Sequence, residues 1–165
     1  MELLDVYNDE GVKIDKVVQR GDKGSLLPGE HIAVAIIYIE NDEGKFLMQK
    51  TSREKGGLYS STGGHVDHGE KPIDTIKREV REELGINIDD DAIIDLGYLL
   101  FDLPIRFVFY LKKDIDLSKV KIQDEEVDSV SYMSVDDIKE KLSEGLMHEA
   151  HYKVLERVLE YKDSL

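Results

Sequence analysis

One stretch, PIDTIKREVREEL at 72–84, constrains the fold more than any other. Ile73, Ile76, Val80 and Leu84 fall at spacings of 3, 4 and 4, a stripe that an α-helix turns toward a single core. Pro72 suits the first helical turn and Gly85 the position just past the end. The spacing predicts a helix over about 72–84. Glu79, Glu82 and Glu83 stand at i, i+3 and i+4 and so point the same way, beside the apolar stripe rather than opposite it. Three carboxylates repel one another; Lys77, Arg78 and Arg81 offset part of that, and an Arg78–Glu82 pair is within reach. A run of this kind is most often a solvated, salt-bridged face. Here the acids border the buried stripe, and the helix is entered through a glycine-containing loop, Gly63 to Glu70, whose tight backbone leaves carbonyls free as ligands. Oxygen ligands at this density suit a hard divalent cation, which keeps several waters and bridges a few carboxylates to phosphates.

Strand patterns surround this helix. LLDVYNDEGVKIDKVV (3–18) reads as a hairpin turning at Asn8-Asp9-Glu10-Gly11. HIAVAIIYIE (31–40) is apolar without alternation, as in a strand buried on both faces. After the turn NDEG, KFLMQKTS returns as a second strand, and together they form a hairpin near the centre of a sheet. A short strand fits around Tyr59 to Thr62. DLGYLLFDLPIRFVFYLKK holds two strands turning at Leu103-Pro104, and VDSVSYMS one more. Ser134, with Asp137 at the capping-box position, starts a short helix. An amphipathic helix closes the chain over about 147–162, apolar at Val154, Leu155, Val158 and Leu159. Many strands with helices set between them predict an α/β (α+β) fold, a mixed sheet flanked by helices. No repeat or linker divides residues 1–165, which are expected to form one domain.

The charge balance excludes several functions. With 36 Asp+Glu against 22 Lys+Arg and a net charge of −14, the chain lacks the basic surface that nucleic acid or an anionic membrane requires. An acidic protein that handles phosphates needs metal ions as intermediaries. There is no cysteine, which excludes disulfides, thiolate metal sites and cysteine nucleophiles together. The first residues carry no signal-peptide pattern, and the longest apolar run, Ile32 to Ile39, is too short to cross a bilayer. A cytoplasmic protein is expected.

Gly64, five residues, Glu70, seven residues and then REVREELGI together match the whole Nudix box, G-x5-E-x7-R-E-U-x-E-E-x-G-U, where U is apolar. All its fixed positions are met: Gly64, Glu70, Arg78, Glu79, Glu82, Glu83 and Gly85, with Val80 and Ile86 as the apolar ones. The chain thus resembles the Nudix hydrolase superfamily, and over roughly residues 1–145 its pattern is similar to the Nudix α/β/α sandwich. The resemblance implies that water attacks phosphorus in a nucleoside diphosphate linked to some group X (NDP-X), with one to three Mg²⁺ ions and Mn²⁺ as a substitute. Carried over by position, Glu82 and Glu83 are the principal metal ligands, joined by the Gly63 carbonyl. Glu79 is a base or an additional ligand, while Arg78 and Glu70 orient these carboxylates. Family members often add a glutamate from a later loop; QDEEVDSVSYM offers Glu125 and Glu126, of which Glu126 is taken as the candidate.

For the substrate, the candidates are Arg53 and Lys55 in the connection before the box, Tyr59 as a base-stacking ring, and His65 in the loop. His68 shares that loop, His31 starts a strand, and His148 and His151 at the last helix are set aside from catalysis. The implied partner is a small-molecule diphosphate, and Nudix proteins frequently pair, so a homodimer belongs with it. The N-terminal part resembles the subgroup related to isopentenyl diphosphate isomerase, which makes isomerisation the alternative. That enzyme requires a cysteine where this chain has Gly63. A non-catalytic nucleotide sensor of the same fold is the third reading, against which stand the retained box glutamates.

Overall fold

The computed structural model describes residues 2–102, 104–122 and 127–165. Among these are nine strands: β1 (Leu3–Tyr7), β2 (Lys13–Gln19), β3 (His31–Glu40), β4 (Phe46–Thr51), β5 (Tyr59–Ser60), β6 (Thr62–His65), β7 (Ile94–Leu100), β8 (Ile105–Lys112) and β9 (Val127–Met133). Three α-helices accompany them: α1 (Pro72–Leu84), α2 (Val135–Ser143) and α3 (Glu149–Asp163).

The sheet is mixed, and β3 is its axis. It pairs antiparallel with β6 and parallel with β8, to which β7 adds antiparallel. The β1–β2 hairpin attaches at the start of β3 through Val6↔Ile32 and Tyr7↔His31. β4 carries its own neighbours, β5 on one side and β9 on the other. The expected β3–β4 hairpin exists, but its strands pair only at Glu40↔Phe46. Beyond that point they part, each taking other partners, and the sheet opens into two arms.

Alternation along β3 divides the core. Ala33, Ala35, Ile37 and Ile39 face α1, where Ile76, Val80 and Leu84 are fully buried. Ile36 and Tyr38 face the other way, onto Ile138 of α2 and Val154, Leu155 and Val158 of α3. Helices therefore cover both faces of β3 over most of its length. The layers form a mixed sheet flanked by helices, as the pattern predicts, in the α/β/α sandwich that the resemblance implies.

Helix α1 begins and ends where its residues dictate. Pro72 occupies the first turn, and Gly85 closes the end at φ 70°, its N–H donating to the Arg81 carbonyl. The cap before it, Lys71, contributes no side-chain bond. The start is held instead by Glu70, which accepts from the Thr75 hydroxyl at 2.7 Å. Ser134 caps α2 by accepting from the Asp137 amide at 3.1 Å.

Candidate active site

Arg78 organises the carboxylates. Its guanidinium takes Glu70 in two bonds, from Nε at 2.7 Å and Nη2 at 3.0 Å, the planar fork that suits a carboxylate. Nη1 donates to Glu79 at 2.9 Å and to Glu82 at 3.2 Å, and Nη2 also reaches the His65 carbonyl at 3.3 Å. One side chain thus ties the loop before α1, the helix and strand β6 together. Burial pushes the Glu70 carboxyl up, but bonds from Arg78, Thr75 and the Asp67 amide outweigh it and hold the group below the usual carboxylate range. The Glu70 contact in turn raises Arg78 above an ordinary guanidinium.

Glu79 and Glu83 occupy the inner side of the helix. Glu79 is only 15% exposed, against 56% for Glu82, so of these two acids Glu79 turns inward and Glu82 remains at the rim on Arg78. Burial, with the Glu82 charge adding to it, raises the Glu79 carboxyl above its usual range, although a hydrogen bond with Glu83 and the Arg78 charge oppose this. Two carboxylates share a hydrogen bond only with a proton between them, which a divalent cation would replace. Glu83 also accepts from Gln49 of β4 at 2.6 Å, and Gln49 donates to Thr62 of β6 at 2.8 Å.

The glycine pair explains how close α1 comes to the sheet. A Cβ on Gly64 would lie 2.3 Å from Glu79 Oε1, so any side chain there would occupy the carboxylate's place. A Cβ on Gly63 would instead meet the Ala35 backbone oxygen at 2.6 Å. Among the described residues no three imidazole or carboxylate groups converge on one point as a preformed metal site. The donor set that fits a cation is the Glu79–Glu83 pair beside the backbone of Gly63 and Gly64, with its remaining positions left for water and phosphate.

Where the two sheet arms part lies a cleft of about 320 Å³. Gln49 of β4, Gly63, Gly64 and His65 of β6 and Glu83 of α1 line it, together with Arg106 of β8 and His151 of α3. The structure thus brings Glu70, Arg78, Glu79, Glu82 and Glu83 into one network and sets Gly63 and His65 beside it. Arg53 lies in a short 3₁₀ turn (Arg53–Lys55), exposed and away from the cleft lining. Tyr59 packs in the core on the α3 side, with the ammonium groups of Lys50 and Lys141 5.7 and 5.3 Å from its ring centre. The Lys55 side chain, Glu125 and Glu126 lie outside the described residues, as does Leu103 at the expected turn. His68 bonds Asp5 at 2.7 Å and His31 bonds Asp9 at 2.6 Å, both on the β1 side.

The NUDIX domain family, as a sequence profile, matches residues 29–158. The chain belongs to the Nudix family. An uncharacterized Nudix hydrolase of Listeria innocua serovar 6a is 31% identical over 149 residues, 88% of this chain and 87% of its own length. An NAD-capped RNA hydrolase of Pseudomonas syringae pv. syringae is 25% identical over 117 residues, 71% of this chain and 41% of that protein. Among solved structures, DR0079 from Deinococcus radiodurans superimposes with a TM-score of 0.75 at 18% identity, covering 94% of this chain and 98% of that one, a likeness of fold. The chain is a Nudix hydrolase, and Glu83 of its box lines the cleft of the split sheet.

The sequence reading passed over Gln49 and Arg106 and set His151 aside from catalysis, yet all three line the cleft. Gln49 follows Leu47 on the α1 side of a buried strand, and a glutamine at such an alternating position was the available signal. Arg106 and His151 carry no comparable sign. They come from β8 and α3, and only the parting of β3 and β4 exposes them to the glutamates' cleft.

Proposed function

We propose that this Nudix hydrolase cleaves the diphosphate linkage of a nucleoside diphosphate derivative, NDP-X, in a Mg²⁺-dependent reaction. The observation that carries the reading is the Glu79–Glu83 pair, locked from behind by the Arg78–Glu70 fork at the end of an open cleft. Glu83, Glu79 and the Gly63 backbone would hold the cation, with Glu82 within reach at the rim. A divalent cation held there would neutralise the diphosphate and the charge that develops on its leaving oxygen. Glu79, half-buried against Gly64, takes the proton of the water that attacks phosphorus. Arg78 keeps Glu79 and Glu82 turned toward the substrate, and Glu70 fixes the Arg78 fork. Gln49 holds one oxygen of Glu83, so the carboxylate enters the reaction already oriented. The Pseudomonas relative, whose named activity is on NAD-capped RNA, supports a nucleotide derivative as the substrate class.

Purified protein with Mg²⁺ and a panel of nucleoside di- and triphosphate derivatives tests this, with released phosphate measured with and without added phosphatase. Glu83→Gln is run alongside; it keeps the fold and the Gln49 contact while removing a charge that binds the cation. Turnover in the parent and a loss of about 100-fold or more in the variant are expected, beyond the cost of removing a mere supporting group. Equal turnover in both would sink the assignment of Glu83. Isopentenyl diphosphate is included, and its isomerisation would favour the alternative chemistry despite Gly63 standing where that enzyme needs a cysteine.

A further inference from the structure

The split sheet places two unlike ends on one cleft. Glu83 and Gln49 lie at the α1 end, and Arg106 and His151 line the α3 end. A second cleft, of about 490 Å³ and bordered by Phe101, Asp102, His148 and Glu149, shares Arg106 and His151 as its wall with the first. Sheet register sets the scale. His65, Val34 and Arg106 are neighbours across β6, β3 and β8, which puts Arg106 about 10 Å from His65 at ordinary strand spacing.

Both junction residues have unspent polar capacity. The Arg106 guanidinium is half-buried and donates to the backbone carbonyls of Phe101 and, at 3.4 Å, Pro104, with no ion pair to a carboxylate among the described residues. His151 has a fully buried Nδ1 without a hydrogen-bond partner among the described residues. Its backbone carbonyl accepts from the Tyr38 hydroxyl at 2.9 Å, which anchors this turn of α3 against β3. Leaving such a nitrogen unpaired is costly, and in native proteins it calls for a reason. Burial, aided by the Arg106 charge, pushes the imidazole down to about 4, which keeps it neutral and ready for a partner.

We propose that Arg106 and His151 form an oxyanion subsite for the X end of the substrate, so that preferred substrates carry a phosphate or carboxylate on that group. This rests on the NDP-X reading. Arg106 supplies the charge, and His151 Nδ1–H donates the second bond in the matching tautomer. Asp102 and Glu149 on the second cleft repel anions and hold the oxyanion at the junction. The cleaved linkage stays at Glu79 and Glu83, so this subsite ranks substrates by their distal end.

The test uses the metal-free protein labelled with ¹⁵N at histidine, in which the α1 carboxylates repel free anions from the catalytic end. Inorganic pyrophosphate and, separately, acetate are titrated while the His151 ring nitrogens are followed by NMR. A saturable shift at His151 that Arg106→Gln abolishes is expected. Response to pyrophosphate alone assigns a phosphoryl group; response to acetate as well admits a carboxylate. No shift with either anion, or the same shift in Arg106→Gln, overturns the subsite. Should Arg106→Gln disturb the β7–β8 connection, His151→Phe is measured by calorimetry: pyrophosphate affinity falls about tenfold, the loss of one charged hydrogen bond, and unchanged affinity overturns the proposal. Glu83→Gln must leave the His151 response intact. A silent hydrolysis panel with a positive His151 response therefore counts against the reaction alone, and the reverse pattern against the subsite alone.

Discussion

Gly63 and Gly64 are adjacent, yet their substitution by alanine separates folding from chemistry. The Cβ of Gly63→Ala meets backbone, the Ala35 oxygen at 2.6 Å, so β3 and β6 must shift apart. The atoms nearest to the Cβ of Gly64→Ala all belong to one flexible side chain, Glu79, with its carboxylate closest. That carboxylate can move, and alanine also restricts the unfolded chain, so stability changes by about 1 kcal/mol or less. Turnover falls about 100-fold, as a displacement of about 1 Å at a reacting group costs. Thermal melts and steady-state kinetics on both variants check this; a fully active Gly64→Ala would show that Glu79 need not sit against β6. The box residues could be picked out together because they lie within one short stretch of sequence. The Gly64–Glu79 contact was not, since it depends on how close a helix docks on a strand, and no sequence spacing records that distance.

Elements were read well where local residues decide them and poorly where partners do. The limits of α1 follow from Pro72, Gly85 and the apolar stripe. The parting of β3 and β4 was hidden, because it is decided by β6, β8, β5 and β9, which compete for the same edges. The same holds for the loop before α1. Asp5 of β1, 3% exposed, accepts from His68 at 2.7 Å and the Gly69 amide at 2.8 Å, pinning that loop across 64 residues of sequence. Burial pushes the Asp5 carboxyl up, and these bonds with the Lys13 charge bring it below its usual value. Asp5→Ala is expected to cost about 2 kcal/mol, the worth of a charged hydrogen bond, and to expose the loop to protease under native conditions. Denaturant midpoints and limited proteolysis read both effects.

Helix α3 carries a pH dependence of its own. His151 is pushed down to about 4 from 6.5, chiefly by burial. Above pH 6.5 the ring is neutral in folded and unfolded chains alike, and stability is undiminished. Between pH 6.5 and 4 only the unfolded chain takes up the proton, so stability falls with pH, by about 1.4 kcal/mol per unit at the limit. In His151→Phe this part of the acid slope disappears. Parallel denaturation curves at pH 7 and 4.5 measure the difference, and equal slopes in both proteins would show that the ring is solvated.

At the scale of the whole molecule, a net charge of −14 makes folding work against self-repulsion, and α1 concentrates that repulsion at Glu79, Glu82 and Glu83. Unfolding separates these groups. A cation that binds the folded cluster therefore shifts the equilibrium toward the folded state, by about 2.7 kcal/mol at a hundredfold excess over its dissociation constant. Any salt also screens the diffuse charge, so a rise in Tm with Mg²⁺ alone does not identify a site. Two comparisons isolate it. Mg²⁺ at millimolar concentration is expected to raise Tm more than sodium chloride of equal ionic strength, and the excess is expected to vanish in Glu83→Gln. Screening acts on the molecule as a whole and would survive that substitution. An excess that persists in the variant would place the cation elsewhere on the acidic surface and leave the Glu79–Glu83 pair holding only its proton.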